Sequence, residues 1–158
     1  RKLDISCRVG RQHGRNTVRY QRDQWVEFLH ANFAVSTDAV TKHVFWRELQ
    51  NTKVVISPFG WGEITLRDFR VFINGAALFK PDMSHLMTWP PLYVNNQTYM
   101  AHRWDLTDLK EKLSDLISTQ TCFEIAENAQ ALYRKYLLEH DGHLEFCQRL
   151  TRMVDTSP

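Results

Sequence analysis

The chain has 158 residues, 43% of them apolar and 24% charged, with a formal net charge of +2. A domain of this length buries roughly 68–70% of its unfolded surface, and the composition excludes a disordered tail, a collagen-like fibre and a mucin-like stalk. No apolar run reaches the roughly 20 residues that a membrane helix needs. The charge is unevenly spread: residues 1–25 hold seven Arg and Lys against two Asp. Such a cluster suits either an anionic ligand or a solvated helix face. Cys7, Cys122 and Cys147 are far apart and form no C-x-x-C. A disulfide framework is therefore not expected, and cysteine usage points to a reducing, cytoplasmic compartment.

Leu3 to Val9 reads as a strand, followed by a loop punctuated by Gly10 and Gly14. Val18, Trp25 and Leu29 have helical spacing and predict a helix from Asn16 to about Asn32. Arg15, Arg19 and Arg22 share one face of it, with Arg11 just ahead. Phe33 to Val35 is a candidate second strand. Residues 41–50 suit a short helix with Thr41 as N-cap. Lys53 to Ser57 is β-branched and continuous, as a strand buried on both faces should be.

Pro58 to Glu63 is a glycine loop. Ile64 to Asn74 then predicts a helix, with Leu66, Phe69 and Ile73 on its apolar face and Gly75 at the C′ position. Ala76 to Phe79 is another short apolar strand, and Lys80 to His85 leaves its carboxyl end as a loop. Asp82 or Ser84 is placed to cap a short helix over 84–88. Trp89 to Pro91 is loop, and Thr98 to His102 is a weaker strand. In the last third, Leu109, Leu113, Leu116 and Ile117 predict an amphipathic helix. Thr121 and Glu124 form a capping-box pattern that opens a second helix, which Gly142 is expected to end. Leu144 to Val154 is a third.

This alternation predicts an α/β fold: a Rossmann-like three-layer domain with a mostly parallel sheet of about five strands. Residues 1–105 form the core, and the helices of 106–158 cap the same domain. Ligands of such sheets bind beyond the carboxyl ends of the strands, which selects the loops 10–15, 58–63 and 80–85. In the second, Gly60 and Gly62 let the backbone approach a ligand, and the helix start beyond offers free N–H groups to phosphate. In the third, Lys80 is a flexible cation suited to phosphate. Each feature also occurs in ordinary βα loops. His140, His143 and Cys147 lack a fourth ligand at useful spacing, so no metal site is expected.

The run SPFGWGEITLRDFRVFINGAALFKPDMSHLMTWPPLY, residues 57–93, resembles the donor-binding half of GT-B glycosyltransferases. It is similar to a bacterial subgroup with an SPFGxGExxxRDF…GxxLxKPDMSHxxTWP pattern. Arg103-Trp104-Asp105-Leu106 and the leucine-rich helix fit that subgroup, and the opening strand, Gly10 loop and Arg-rich helix fit it more loosely. The resemblance implies the C-terminal half of a GT-B fold, which binds a nucleotide-sugar in the cleft facing an N-terminal acceptor domain. It implies that Gly60, Trp61, Gly62 and Glu63 line the diphosphate and sugar. Arg11 or Arg15, together with Lys80, would neutralise the diphosphate, and Asp82, Ser84 and His85 would lie on the neighbouring donor-binding loop.

No metal or other cofactor is then expected, because side-chain cations and helix N-termini stabilise the leaving diphosphate. The acceptor, a glycan or lipid-linked sugar, would come through the N-terminal half. The chain alone would transfer nothing, so no catalytic residue is assigned within it, and membrane contact would be peripheral. Nucleic acid is not an expected partner, since no RNP-like or KH-like element accompanies the basic residues.

One departure stands out. Retaining GT-B enzymes commonly place an acidic residue five positions before the helix-ending glycine, to bind the ribose hydroxyls. Here that position is Arg70, and a guanidinium has no acceptor. Asp68 lies about 200° round the helix. Arg70 favours an alternative: a non-catalytic GT-B-like binding or interaction domain that has lost donor chemistry.

Overall fold

The computed structural model describes residues 1–10 and 13–155. It contains four strands, β1 (Leu3–Ser6), β2 (Thr52–Ile56), β3 (Ala77–Pro81) and β4 (Met100–His102), all parallel and in the spatial order β1-β2-β3-β4. Six helices accompany them: α1 (Asn16–Asn32), α2 (Lys42–Asn51), α3 (Leu66–Asn74), α4 (Leu109–Ser118), α5 (Thr121–Leu138) and α6 (His140–Asp155). The fold is α/β and consistent with a Rossmann-like domain, but the sheet has four strands rather than five. The expected strand at 33–35 does not form. Phe33 instead closes α1 by donating its N–H to the Leu29 carbonyl at 2.7 Å, and the Val35 N–H turns back onto Phe33. Both side chains pack on the core without a neighbouring strand.

Strand side chains alternate between the two faces of a sheet, and here each face builds its own core. Val54 and Ile56 of β2, with Ala77 and Phe79 of β3, meet Trp25 and Leu29 of α1 and Leu109, Leu113 and Leu116 of α4. Val55 and Leu78 turn to the other side and meet Leu49 of α2 and Val71 and Phe72 of α3. Each large apolar side chain buried in this way contributes about 1.5–3 kcal/mol. Between β1 and β2 the chain passes from one face to the other, with α1 on the first and α2 on the second. α5 serves both faces, giving Cys122 and Ile125 to one core and Ala129 to the other. α4 and α5 are therefore integral to the packing, while of α6 only Gly142 is buried.

Local chemistry explains the boundaries. Thr41 caps α2 as expected, its hydroxyl accepting the Val44 N–H at 3.4 Å. α3 starts two residues later than expected because Thr65 caps it: the Asp68 carboxylate accepts the Thr65 N–H at 3.1 Å and the Thr65 hydroxyl at 2.9 Å. Gly75 closes α3 with φ +62°, a left-handed conformation that glycine adopts without a Cβ clash. The expected capping box at Thr121 does not form. Gln120 precedes the helix, Thr121 is its first residue, and no side chain caps it.

Gly142 does not end α5 either; the chain turns at Glu139, and Gly142 lies in the first turn of α6. A Cβ at this glycine would sit 2.2 Å from the Lys135 carbonyl oxygen. Glycine therefore lets α6 fold back against the end of α5. We expect Gly142→Ala to unseat α6. Hydrogen exchange would speed up along 144–155 while α1 to α4 kept their protection; unchanged exchange in α6 would refute this close-contact role.

Candidate functional site

The carboxyl ends of β1 and β2 open into a cavity of about 680 Å³. Its floor is the glycine loop, with Gly60, Trp61 and Gly62, and the first turn of α3. Its walls carry five cations: Arg8 after β1, Arg22 from α1, Lys42 from α2, and Arg67 and Arg70 from α3. No Asp or Glu lines it among the described residues. Arg8 is neutralised from behind by Glu48, with a shortest contact of 2.7 Å. Arg22 donates to the Gly10 carbonyl at 2.8 Å, and its Nε is buried without a hydrogen-bond partner. Arg67 donates to the backbone carbonyls of Arg8 and Ile56, and burial lowers its pKa. The Arg70 guanidinium lies 5.8 Å from the centre of the Trp46 ring.

The loop after β1 leans on the glycine loop. The Arg15 guanidinium stacks 4.9 Å from the Trp61 ring centre and donates to the Trp61 carbonyl at 3.2 Å. The His13 ring lies 4.9 Å from that of Trp61. Arg15 and Trp61 thus form a lip of the cavity, with Trp61 69% exposed. Arg11, expected beside them, lies outside the described residues. Gly62 leaves room: a Cβ there would meet nothing closer than the Ile64 carbonyl at 3.8 Å.

Glu63 and His85, expected on separate loops, come together. His85 Nε2 and Glu63 Oε1 are 3.0 Å apart on the surface. The His85 ring packs at 5.5 Å against Trp104, whose Nε1 donates to the Asp82 carbonyl at 2.9 Å. The Asp82 carboxylate accepts the Ser84 N–H at 3.1 Å and the Ser84 hydroxyl at 2.7 Å. These bonds hold its pKa below the usual carboxylate range, the Ser84 hydroxyl contributing most. They close a turn, and the short helix expected over 84–88 is absent. This second cluster shares no lining residue with the cavity.

Lys80 is placed differently from its expected role at a phosphate. The strand β3 runs on through Lys80 to Pro81. By strand alternation Lys80 faces the same side as Leu78, under α3. It is fully buried, with its Nζ 3.3 Å from Asp68 Oδ2. Burial lowers its pKa, opposed by the charge of Asp68. Asp68 in turn accepts hydroxyl protons from Ser57 at 2.5 Å, from Thr65 at 2.9 Å and from Tyr93 at 2.8 Å. This buried network ties the end of β2, the start of α3, β3 and the 93 loop together. Burial and the neighbouring Asp68 charge raise the Tyr93 pKa.

The strand pairing explains the second contact of Lys80. Ser57 donates its N–H to the Phe79 carbonyl at 2.9 Å. In a parallel ladder its own carbonyl would then accept from residue 81, but Pro81 has no N–H. Lys80 Nζ approaches that carbonyl instead, at 3.4 Å.

Comparison with models of known protein families and with curated proteins finds no match to this chain. Within the described residues no helix is long and apolar enough to cross a membrane, and no group of three His, Cys, Asp or Glu is placed to hold a metal ion. The sequence singles out the glycine loop, Arg15 and, as a departure from the family pattern, Arg70, but not Arg67 beside it. Arg67 and Arg70 are three apart, and therefore on neighbouring positions of one helix face; that spacing was the available signal.

Proposed function

We propose that the chain is the donor-binding domain of a GT-B-type glycosyltransferase, holding the diphosphate of a nucleotide-sugar in the arginine-lined cavity. The observation that carries this is the concentration of five cations, with no carboxylate among the described lining residues, around the cavity beyond β1 and β2. Guanidinium groups offer paired N–H donors that match phosphate oxygens. The glycine loop lets the ligand approach its backbone, and the first turn of α3 adds the positive end of a helix dipole. The resemblance over 57–93 supports the same reading. In it, the cavity cations stabilise charge developing on the leaving diphosphate. A separate N-terminal domain presents the glycan or lipid-linked acceptor, and the setting is cytoplasmic.

Calorimetry with UDP, GDP, ADP, CMP and their hexose conjugates, without added metal, tests this. We expect saturable binding of one nucleotide class, weakened about tenfold by Arg22→Gln. Absence of binding to every one of them by the folded domain would overturn the donor assignment. Two observations favour a second reading, a non-catalytic domain of the same fold. Lys80 is buried on Asp68, and among the described residues no carboxylate lines the cavity to receive a ribose diol.

A further inference from the structure

We infer that the donor carries a third anionic group beyond its diphosphate, received by Arg70 and Lys42; this rests on the donor-binding reading above. The argument is one of charge balance. Of the five cations lining the cavity, Arg8 is matched by Glu48. Arg22, Lys42, Arg67 and Arg70 make no salt bridge among the described residues. The diphosphate of a nucleotide-sugar brings two negative charges, so two positive charges stay unmatched. Gathering like charges around a partly enclosed space costs free energy unless a ligand offsets it.

Position divides the four. Arg22 reaches the Gly10 carbonyl, and Arg67 is held by the carbonyls of Arg8 and Ile56, so both are fixed by loops at the strand ends. Their place is where a diphosphate would lie, against the glycine loop. Arg70 is one helical turn further along α3, beside Trp46 of α2, the helix whose first residue is Lys42. No described side chain or carbonyl accepts a hydrogen bond from either the Arg70 guanidinium or the Lys42 ammonium. A planar carboxylate or a phosphate fits this pair, with a bidentate contact to the guanidinium.

The same group can come from a carboxylate on the sugar, as in a uronate, or from a phosphate on the ribose. The experiment takes the nucleotide that the screen selects and compares three ligands by calorimetry. These are its neutral hexose conjugate, its hexuronate conjugate and its 3′-phosphorylated form. We expect one of the two extra-anionic ligands to bind about tenfold tighter than the neutral conjugate. Which one does so identifies the source. Arg70→Gln should bring that ligand and the neutral conjugate within about twofold of each other. Equal affinity of all three for the unaltered protein, with the neutral conjugate clearly bound, overturns this inference and leaves the donor reading standing. Binding of none overturns both. A preference that persists undiminished in a folded Arg70→Gln overturns the assignment to Arg70.

Discussion

Asp68→Asn should destabilise the domain by about 3–5 kcal/mol, the usual cost of leaving one partner of a buried ion pair uncompensated. Asp68 and Lys80 are both fully buried, and three hydroxyls besides the ammonium converge on the carboxylate. Removing its charge leaves the Lys80 ammonium under Phe59 and α3 with a weak carbonyl contact at 3.4 Å. A second change, Lys80→Met in the Asp68→Asn background, should restore most of the loss, because the pair is then replaced by uncharged groups. Urea unfolding of the single and double variants makes the comparison. A double variant no more stable than Asp68→Asn would show that the charge pairing is not what matters there. The same geometry fixes how Lys80→Ala must be read. That substitution leaves a buried carboxylate behind, so any lost ligand affinity reports on folding before it reports on phosphate contact.

Acidification from pH 6.5 to 4 should remove about 3 kcal/mol of stability through His102 alone. The ring is 1% exposed, stacked on Phe79 at 5.1 Å and met edge-on by Trp25 at 4.7 Å. Its Nδ1 donates to the Arg103 carbonyl at 2.7 Å, which leaves Nε2 as a bare acceptor with no partner. Burial pushes its pKa down from 6.5 to about 4. Through this window the unfolded chain takes up a proton that the folded chain refuses. Stability therefore rises with pH between 4 and 6.5 and is flat in this contribution above it. Urea midpoints measured across the window should show that slope in the unaltered protein and lose most of it in His102→Leu. An equal slope in the variant would assign the acid sensitivity elsewhere.

Much of the fold was readable because its signals are local. The run 53–57 has the continuous β-branched character of a strand covered on both sides, and β2 is such a strand. Thr41 and Gly75 mark helix ends through their own backbone chemistry. The errors come where distant packing decides. Phe33 and Val35 look like strand residues, but no neighbouring strand accepts them, and they are drawn into the core from an irregular segment. Gly142 looks like a helix stop. What requires glycine there is the approach of another helix, which the local sequence does not encode.

The candidate site divides in the same way. The glycine loop and Arg15 were visible as a loop after a strand and a cation beside it. The apolar run ends at Phe79, so Lys80 reads as the start of a loop, yet the strand continues through Lys80 and Pro81. Counting alternation from Leu78 would have turned Lys80 beneath α3, toward Asp68. The cavity itself is assembled from α1, α2, α3 and two loops, and only the packing of the two layers brings those arginines round one space.

The proline at the end of β3 has a mechanical consequence. Pro81 has no N–H to give Ser57, and Pro58, next along the β2 side, has none either. Among the described residues no main-chain amide therefore stitches the glycine loop to the neighbouring strand beyond Ser57, where the ladder ends at the bond to Phe79. Side chains hold the loop instead: Phe59 is buried in the core on the α3 side, Ser57 donates to Asp68, and Arg15 donates to the Trp61 carbonyl. The cavity floor is thereby seated by packing and side-chain bonds rather than by the sheet's own ladder, so its position depends on the residues that surround the cavity.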